Sequence, residues 1–98
     1  MKILAVEQET PGVTAAQFAP HLAAEARRAW DLHQAGVIRE LYFRADRHSA
    51  VLVLECADVG EAKEVLQSLP LVEAGLITFE LLPLVVYPGF ARLFAEEQ

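Results

Sequence analysis

The sequence predicts an α+β fold in which four strands and two helices follow the order βαββαβ. Short apolar runs of strand length alternate with two segments whose apolar residues recur at helical spacing. Pro and Gly residues separate most of these segments and mark the turns between them. The chain of 98 residues is expected to be a single domain, 1–98, because a domain usually has roughly 100–200 residues.

The first predicted elements are a strand over residues 2–8 and a long helix. Thr14 and Gln17 have the spacing of a capping box, in which Thr14 caps the helix and Gln17 reaches back to it. The helix is expected over residues 15–35, and Gly36 supplies its C-terminal stop.

The second and third strands, residues 37–44 and 50–56, form a predicted hairpin with a polar turn between them. Residues 51–54 are apolar on both faces of the third strand, and so are Leu81 and Leu82 near the end of the chain. Strands of this kind are covered on both sides. Helices can cover only one face of the sheet, so the other face needs a second cover.

The second half of the chain predicts another helix and the last strand. Asp58 followed by Glu61 is a cap signature, and it opens a short helix that continues to Ser68 and is ended by Pro70. The fourth strand is expected over residues 76–82. Two helices packed on one face of a four-stranded antiparallel sheet in this order form a ferredoxin-like α+β arrangement.

A second copy of the chain is the simplest cover for the open face, since two-fold homodimers are the commonest oligomers. The sequence therefore predicts a homodimer or higher homo-oligomer whose sheets pack face to face. Phe90, Leu93 and Phe94 in the C-terminal tail suit docking on a neighbouring subunit, and a tail folded back on its own subunit accounts for them equally well. The last residues, 96–98, are expected to fray.

Composition limits the partners of the chain. The net charge is −6 with a pI near 4.9, whereas nucleic acid and anionic membrane surfaces require a basic patch. Hydrophobic residues make up 54% of the chain and the mean hydropathy is +0.28, which is much apolar material for a monomer of this size. We expect a small-molecule ligand and further copies of the chain as partners, with no nucleic acid and no membrane.

The location of the protein is predicted from its cysteine and its apolar runs. Cys56 is the single cysteine, so it cannot form an internal disulfide, and it is expected to be a small buried hydrophobe. The first apolar run, residues 3–6, is too short for the core of a signal peptide. No segment approaches the roughly 20 apolar residues of a membrane span. These features predict a cytoplasmic protein.

Glu25 is the most informative residue, because it interrupts an apolar helical stripe. Phe18, Leu22, Ala29 and Leu32 fall in one sector of the predicted helix, and Glu25 projects into the middle of that sector. Burial disfavours the charged form of a carboxyl and prepares it to exchange protons near neutral pH. The alternative is that the stem packs while the head reaches an arginine or water at the helix edge.

Other candidate site residues lie on the predicted hairpin. Arg39 is expected to share one face of the second strand with Leu41 and Phe43, and a bidentate contact from it would hold a substrate carboxylate. A salt bridge across the sheet to a glutamate such as Glu7 is the other interpretation of that arginine. Tyr42 and His48 are candidate donors to a developing oxyanion, and His48 also suits a simple turn position.

Metal ligation and nucleophilic catalysis find no support in the sequence. The three histidines lack helical i, i+4 spacing with an acidic partner, and there is no glycine-rich phosphate loop. A serine or cysteine with the sequence signature of a nucleophile is also missing. We therefore expect no metal.

Four segments of the chain resemble the muconolactone δ-isomerase family of the dimeric α+β barrel superfamily. They are Glu25…Ala29…Leu32…Gly36, Arg39-Glu40-Leu41-Tyr42, Glu61-Ala62…Leu66…Leu69-Pro70-Leu71 and Ile77-Thr78-Phe79-Glu80. The resemblance covers most of the chain, and its most specific element is the Leu-Pro-Leu that follows the second helix. It implies a ferredoxin-like subunit, sheet-to-sheet dimers and cofactor-free proton transfer in a pocket between the first helix and the sheet.

The resemblance also assigns roles. The family's helix glutamate falls on Glu25, and its strand arginine falls on Arg39. The chain departs from the family pattern in three places. Ala26 stands where the family has a basic residue after the glutamate, and His48-Ser49-Ala50-Val51 stands where aromatic and amide residues lead into the third strand. Val72-Glu73-Ala74 replaces the aromatics that follow the Leu-Pro-Leu. Fold and proton transfer are therefore expected to carry over better than the substrate.

Three functions remain open at this stage. The first is a cofactor-independent isomerase that moves a proton on a small anionic lactone or related unsaturated carbonyl compound, with Glu25 and His48 catalytic and Arg39 and Tyr42 binding the substrate. The second is a non-catalytic small-molecule-binding or stress-associated barrel. The third and weaker one is a cofactor-free monooxygenase acting on activated aromatic compounds.

Overall fold

A computed structural model describes residues 1–95, and the terminal residues 96–98, which were expected to fray, lie outside the described residues. The elements follow the predicted order, with short helices added. They are β1 (Lys2–Glu9), α1 (Ala15–Phe18), α2 (Leu22–Gln34), β2 (Ile38–Phe43), β3 (Ala50–Glu55), α3 (Val59–Gln67), α4 (Pro70–Glu73), β4 (Ile77–Pro83) and α5 (Arg92–Ala95), with 3₁₀ turns at Ala19–His21 and Gly89–Ala91.

The strands form one antiparallel sheet in the order β2-β3-β1-β4. β1 lies in the middle, where Ile3 stands opposite both Leu54 of β3 and Pro83 of β4. This arrangement confirms the predicted ferredoxin-like α+β fold. The packing of two sheets in a dimer stays a prediction.

The two faces of the sheet differ in cover. Ile3, Ala5 and Leu54 point to the helices and are fully buried, because the helices pack their apolar stripes on this face. The opposite face carries Leu4 and Val53, which stand side by side and are half-buried. Within residues 1–95 both faces of the central strands are therefore apolar, as the sequence predicted, and the helices cover one of them.

The first helical segment is interrupted, whereas one helix over residues 15–35 was predicted. α1 ends at Phe18, a 3₁₀ turn covers Ala19–His21, and α2 begins at Leu22. Pro20 explains the difference, since proline cannot donate the backbone hydrogen bond that continues an α-helix. α2 ends as predicted, with Gly36 at a φ of +79°.

The second helical segment continues into a further short helix that was not predicted. Asp58 caps α3 by accepting the Glu61 N–H at 2.8 Å, as predicted. Pro70, expected only to end this helix, begins α4 instead, because the extended backbone of Leu69 places proline in a first turn, where no N–H is required. The backbone of α4 then reaches the cleft described below.

A β-bulge interrupts β2. The pairing with β3 shifts between Ile38 and Glu40, so Arg39 is left out of the regular alternation. Arg39, Leu41 and Phe43 were expected to share one face of β2, and all three line the cleft described below.

The chain leaves the sheet after Pro83, and residues 84–95 form a C-terminal arm. Val85 and Val86 in this arm are 88% and 89% exposed. The Tyr87 and Phe90 rings pack edge to face against each other, with their centroids 5.1 Å apart. The arm lengthens the molecule to 62 Å and raises the radius of gyration to 16.7 Å, whereas a compact domain of this length has about 13 Å. No helix among residues 1–95 is long and apolar enough to cross a membrane.

Candidate functional site

A cleft of about 1140 Å³ lies between the helices and the covered face of the sheet. Its walls are mainly apolar side chains from α2, β2, β3 and α4, among them Leu22, Ala29, Leu41, Phe43, Leu52 and Leu71. All four residues predicted for the site, Glu25, Arg39, Tyr42 and His48, line this cleft. An apolar pocket with a few polar groups is the usual form of a small-molecule site.

Glu25 extends from α2 into the cleft and is half-buried. Its Oε1 atom accepts a hydrogen bond from the backbone N–H of Leu71 at 2.9 Å. Burial raises the pKa of the Glu25 carboxyl, the Leu71 N–H opposes that rise, and the negative charge of Glu7 adds to it. The ion pairs found within residues 1–95 do not include Glu25, so its head is held by a backbone amide and not by an arginine.

Glu7 enters the cleft from the opposite side. It follows Ile3 and Ala5 on the covered face of β1, and its Oε1 accepts a hydrogen bond from the Ala50 N–H at 3.1 Å. Burial raises the pKa of the Glu7 carboxyl, the Ala50 N–H opposes this, and Glu9 raises the pKa further. The cleft therefore holds two carboxylates that are both prepared to keep a proton above the usual carboxyl range.

His48 lies in the turn between β2 and β3. Its ring stacks on Phe43, with the centroids 4.0 Å apart and the planes at 27°. Its charge, when present, lowers the pKa of Glu7, although burial of that carboxyl has the larger effect. His48 thus stands at the end of the cleft where Glu7 is found.

Arg39 and Tyr42 are engaged by other groups. The Nε of Arg39 donates to the backbone oxygen of Gly36, at the end of the cleft where α2 stops. Tyr42 pairs with Val51 on the open face of the sheet, and its hydroxyl donates to Oε1 of Glu40 at 2.6 Å. Both residues expected to bind substrate line the cleft, but the Tyr42 hydroxyl is engaged by Glu40.

Comparison with known protein families decides the assignment. Residues 4–89 match the family model described as muconolactone delta-isomerase. The chain belongs to the muconolactone delta-isomerase family. The resemblance read from the four sequence segments is thereby confirmed.

Two solved structures have a similar fold. The crystal structure of muconolactone isomerase has a TM-score of 0.74 and 22% identity, and the match covers 90% of this chain and 92% of that one. The 5-chloro-2-hydroxyhydroquinone dehydrochlorinase from Burkholderia phenoliruptrix AC1100, in complex with 2,5-dihydroxybenzoquinone, has a TM-score of 0.69 and 16% identity, with 91% and 98% covered. No curated protein matches the sequence significantly.

Glu7 lines the cleft of this muconolactone delta-isomerase family member but was not predicted from the sequence as a candidate site residue. It was considered only as a salt-bridge partner for arginine. The sequence nevertheless indicates its position, because side chains alternate between the two faces of a strand and Glu7 therefore shares a face with the buried residues Ile3 and Ala5. It is a charge on the covered face of a strand, just as Glu25 is a charge in the apolar stripe of a helix.

No group of three or more His, Cys, Asp or Glu within the described part of the chain is arranged to hold a metal ion. The polar groups that line the cleft include carboxylates, His33, His48 and Arg39. Such a set can move protons on a bound molecule and can bind an anionic group.

Proposed function

We propose that this chain is a cofactor-independent enzyme that moves a proton on a small unsaturated lactone or a related carbonyl compound. The observation that carries the proposal is the Glu25 carboxyl, which is half-buried in an apolar cleft and held by the Leu71 N–H. A general base works best when its pKa lies near the operating pH. Burial moves the pKa of Glu25 upward from the ordinary carboxyl range, which is the required direction.

In the proposed reaction, Glu25 removes a proton from a carbon at one end of a conjugated system that includes the carbonyl. The C–H bond breaks, its electron pair moves toward the carbonyl oxygen, and an enolate forms. Return of a proton to a carbon farther along the conjugated system forms a new C–H bond and restores the carbonyl. The double bond has then moved and the atoms of the substrate are unchanged, so the reaction is an isomerisation.

Two further residues have roles in this proposal. His48, stacked on Phe43 at one end of the cleft, donates to the enolate oxygen. Arg39, at the α2 end, holds the carboxylate of an anionic substrate through its terminal nitrogens, since the structure gives a hydrogen bond only to its Nε. Tyr42 has no step here, because its hydroxyl is engaged by Glu40.

An elimination is the second candidate reaction. The dehydrochlorinase of similar fold removes hydrogen chloride, and its name describes a reaction that also requires loss of a proton. A chlorinated substrate in this cleft would lose chloride from the carbon next to the enolate instead of taking up a proton there. Release of chloride from a chlorinated lactone would favour elimination over isomerisation.

The test is deuterium uptake into muconolactone and a small panel of butenolides in D₂O, which detects proton transfer even when net conversion is small. Wild type is compared with Glu25→Gln, which keeps the shape and the acceptor oxygen, and with Glu64→Gln on the exposed side of α3 as a matched control. We expect uptake with wild type and Glu64→Gln, and a loss of about 10²–10⁴-fold with Glu25→Gln.

Each other result has a defined meaning. Uptake that survives in Glu25→Gln removes Glu25 from the mechanism. Tight binding of these compounds with neither uptake beyond buffer nor conversion to an isomer would favour a non-catalytic binding protein. Oxygen consumption with an electron-rich phenol would favour a cofactor-free monooxygenase.

A further inference from the structure

Two carboxylates approach the cleft from different elements, Glu7 from the sheet and Glu25 from helix α2. We infer that Glu7 is a second catalytic carboxylate of this site, which delivers a proton to the substrate after Glu25 has removed one. The inference deepens the proposed function and rests on it. It assigns a catalytic role to a residue that the single-base description above leaves unused.

The backbone holds both side chains in the same manner. Oε1 of Glu7 accepts from the Ala50 N–H at 3.1 Å, and Oε1 of Glu25 accepts from the Leu71 N–H at 2.9 Å. In each carboxylate, Oε2 makes no hydrogen bond to a group within residues 1–95. One oxygen therefore fixes the position of the group, and the other remains available to take or give a proton.

The position of Glu7 is unusual for a structural glutamate. It occupies the covered face of a central strand, opposite Phe79 in β4, where an apolar residue would pack with less cost. Glu7 also takes no part in the ion pairs found in the described chain. A carboxylate that is placed among apolar side chains and faces a cleft has the environment of an acid–base group.

Electrostatic coupling gives the pair two different protonation states. Glu7 raises the pKa of Glu25, because two negative charges in one apolar cleft disfavour each other. The groups that act on the pair are Glu9 on the same strand, His48 beside Glu7 and His21 near Glu25. The cleft is also lined by His33, Arg39 and Glu40. Over an interval of pH the coupled pair shares one proton, and the reaction uses the form in which Glu25 is ionised and Glu7 holds that proton.

The proton balance distinguishes two carboxylates from one. Glu25 takes the proton when the C–H bond breaks, and the O–H bond of Glu7 then breaks to form the new C–H bond while the carbonyl is restored. Glu25 is left protonated and Glu7 ionised, and proton exchange with solvent resets both. The proton that enters the product is then not the one that left the substrate, whereas a single base can return the same proton.

The experiment uses the intact protein and muconolactone deuterated at the carbon that loses its proton, with turnover in H₂O. Wild type should give a product without deuterium at the new C–H bond. Glu7→Gln, which retains an oxygen to accept the Ala50 N–H, should be slower by about 10²-fold or more. Its residual product should retain deuterium, since Glu25 alone then removes and returns the label. Glu7→Asp should recover part of the rate and the loss of label.

Several results would overturn the inference. One is a Glu7→Gln variant with the wild-type rate and label content, and another is a wild-type product that retains the label. Failure of the wild-type protein to turn over any member of the lactone panel would contradict the proposed function instead.

Carbon-13 NMR titration of the side-chain carboxyls tests the pair without any substrate. Glu7→Gln should lower the pKa of Glu25, and the matched variant Glu64→Gln should leave it unchanged. An unchanged pKa of Glu25 in Glu7→Gln would remove the coupling on which the inference rests. Circular dichroism of each variant checks that the fold is retained.

Discussion

Oε1 of Glu25 accepts the backbone N–H of Leu71 at 2.9 Å, and this contact joins α2 to the first turn of α4. The first N–H groups of a helix have no acceptor within it, so Glu25 satisfies a donor that α4 leaves open. Glu25→Gln keeps this acceptor and Glu25→Ala removes it. We expect Glu25→Ala to be less stable than Glu25→Gln by about 1 kcal/mol, to be measured by urea unfolding.

Activity provides the control for that comparison. Both variants lack the base, so both should lose proton transfer to the same extent while differing in the free energy of unfolding. If Glu25→Ala and Glu25→Gln unfold with the same free energy, water satisfies the Leu71 N–H as well as the side-chain oxygen does.

Stability should depend on pH through the same carboxyl. Because burial raises the pKa of Glu25 above its ordinary value of 4.5, the folded state binds this proton more readily than the unfolded state. The stabilising effect of the proton is complete below the unfolded pKa and is lost as the pH rises through the folded pKa. Relative to Glu25→Gln, wild type should therefore lose stability as the pH rises above 4.5 and through the raised pKa of the folded state.

Thermal unfolding midpoints at a series of pH values would check this prediction. The midpoint of wild type should fall relative to that of Glu25→Gln as the pH rises. A midpoint difference that is constant with pH, or one that moves in favour of wild type as the pH rises, would contradict the raised pKa of Glu25.

Local sequence patterns predicted the fold and Glu25, one of the two carboxylates proposed as catalytic. Glu25 and Gly36 could be interpreted without a structure, because a helical stripe and a helix stop depend on near neighbours in the chain. Three features could not be read in this way. The contact from Glu25 to Leu71 joins residues 46 positions apart, Pro70 begins a helix only in its tertiary setting, and the bulge at Arg39 is a property of strand pairing.

Arg39 should affect substrate binding and not the chemical step. Arg39→Leu removes a charged donor, and a hydrogen bond to a charged group contributes about 1.5–3 kcal/mol. For an anionic lactone we expect KM to rise by roughly 10-fold or more with kcat little changed. Steady-state kinetics with an anionic lactone and its methyl ester measure this.

The ester and a surface variant are the controls. The ester lacks the carboxylate, so Arg39→Leu should leave its KM unchanged. Arg27→Leu, on the exposed side of α2, should behave as wild type with both compounds. A fall in kcat without a rise in KM would place Arg39 in the chemical step instead.

The open face of the sheet predicts assembly. Val53 is half-buried there beside Leu4, although no element within residues 1–95 covers that face. A second copy packed on it would fully bury Val53, so Val53→Glu would place an unpaired charge in the interface. We expect light scattering to show an oligomer for wild type and a folded monomer for Val53→Glu.

A control substitution on the surface tests whether the effect of Val53→Glu depends on the position of the added charge. Gln67→Glu adds the same charge at an exposed position of α3 and should leave the assembly intact. A well-folded wild-type monomer would contradict the interpretation of the strands that are apolar on both faces.

The C-terminal arm should contribute to the same assembly. Phe90 and Phe94 are 68% and 60% exposed, and substitution of exposed side chains usually changes stability by less than about 0.5 kcal/mol. If the arm docks on a neighbouring copy, the double variant Phe90→Ser/Phe94→Ser should lower the stability of the oligomer by more than that amount. In the Val53→Glu background, where no partner is present, the same double variant should have almost no effect. An equal loss of stability in both backgrounds would show that the arm packs on its own subunit, and the interaction between the two sites distinguishes these arrangements directly.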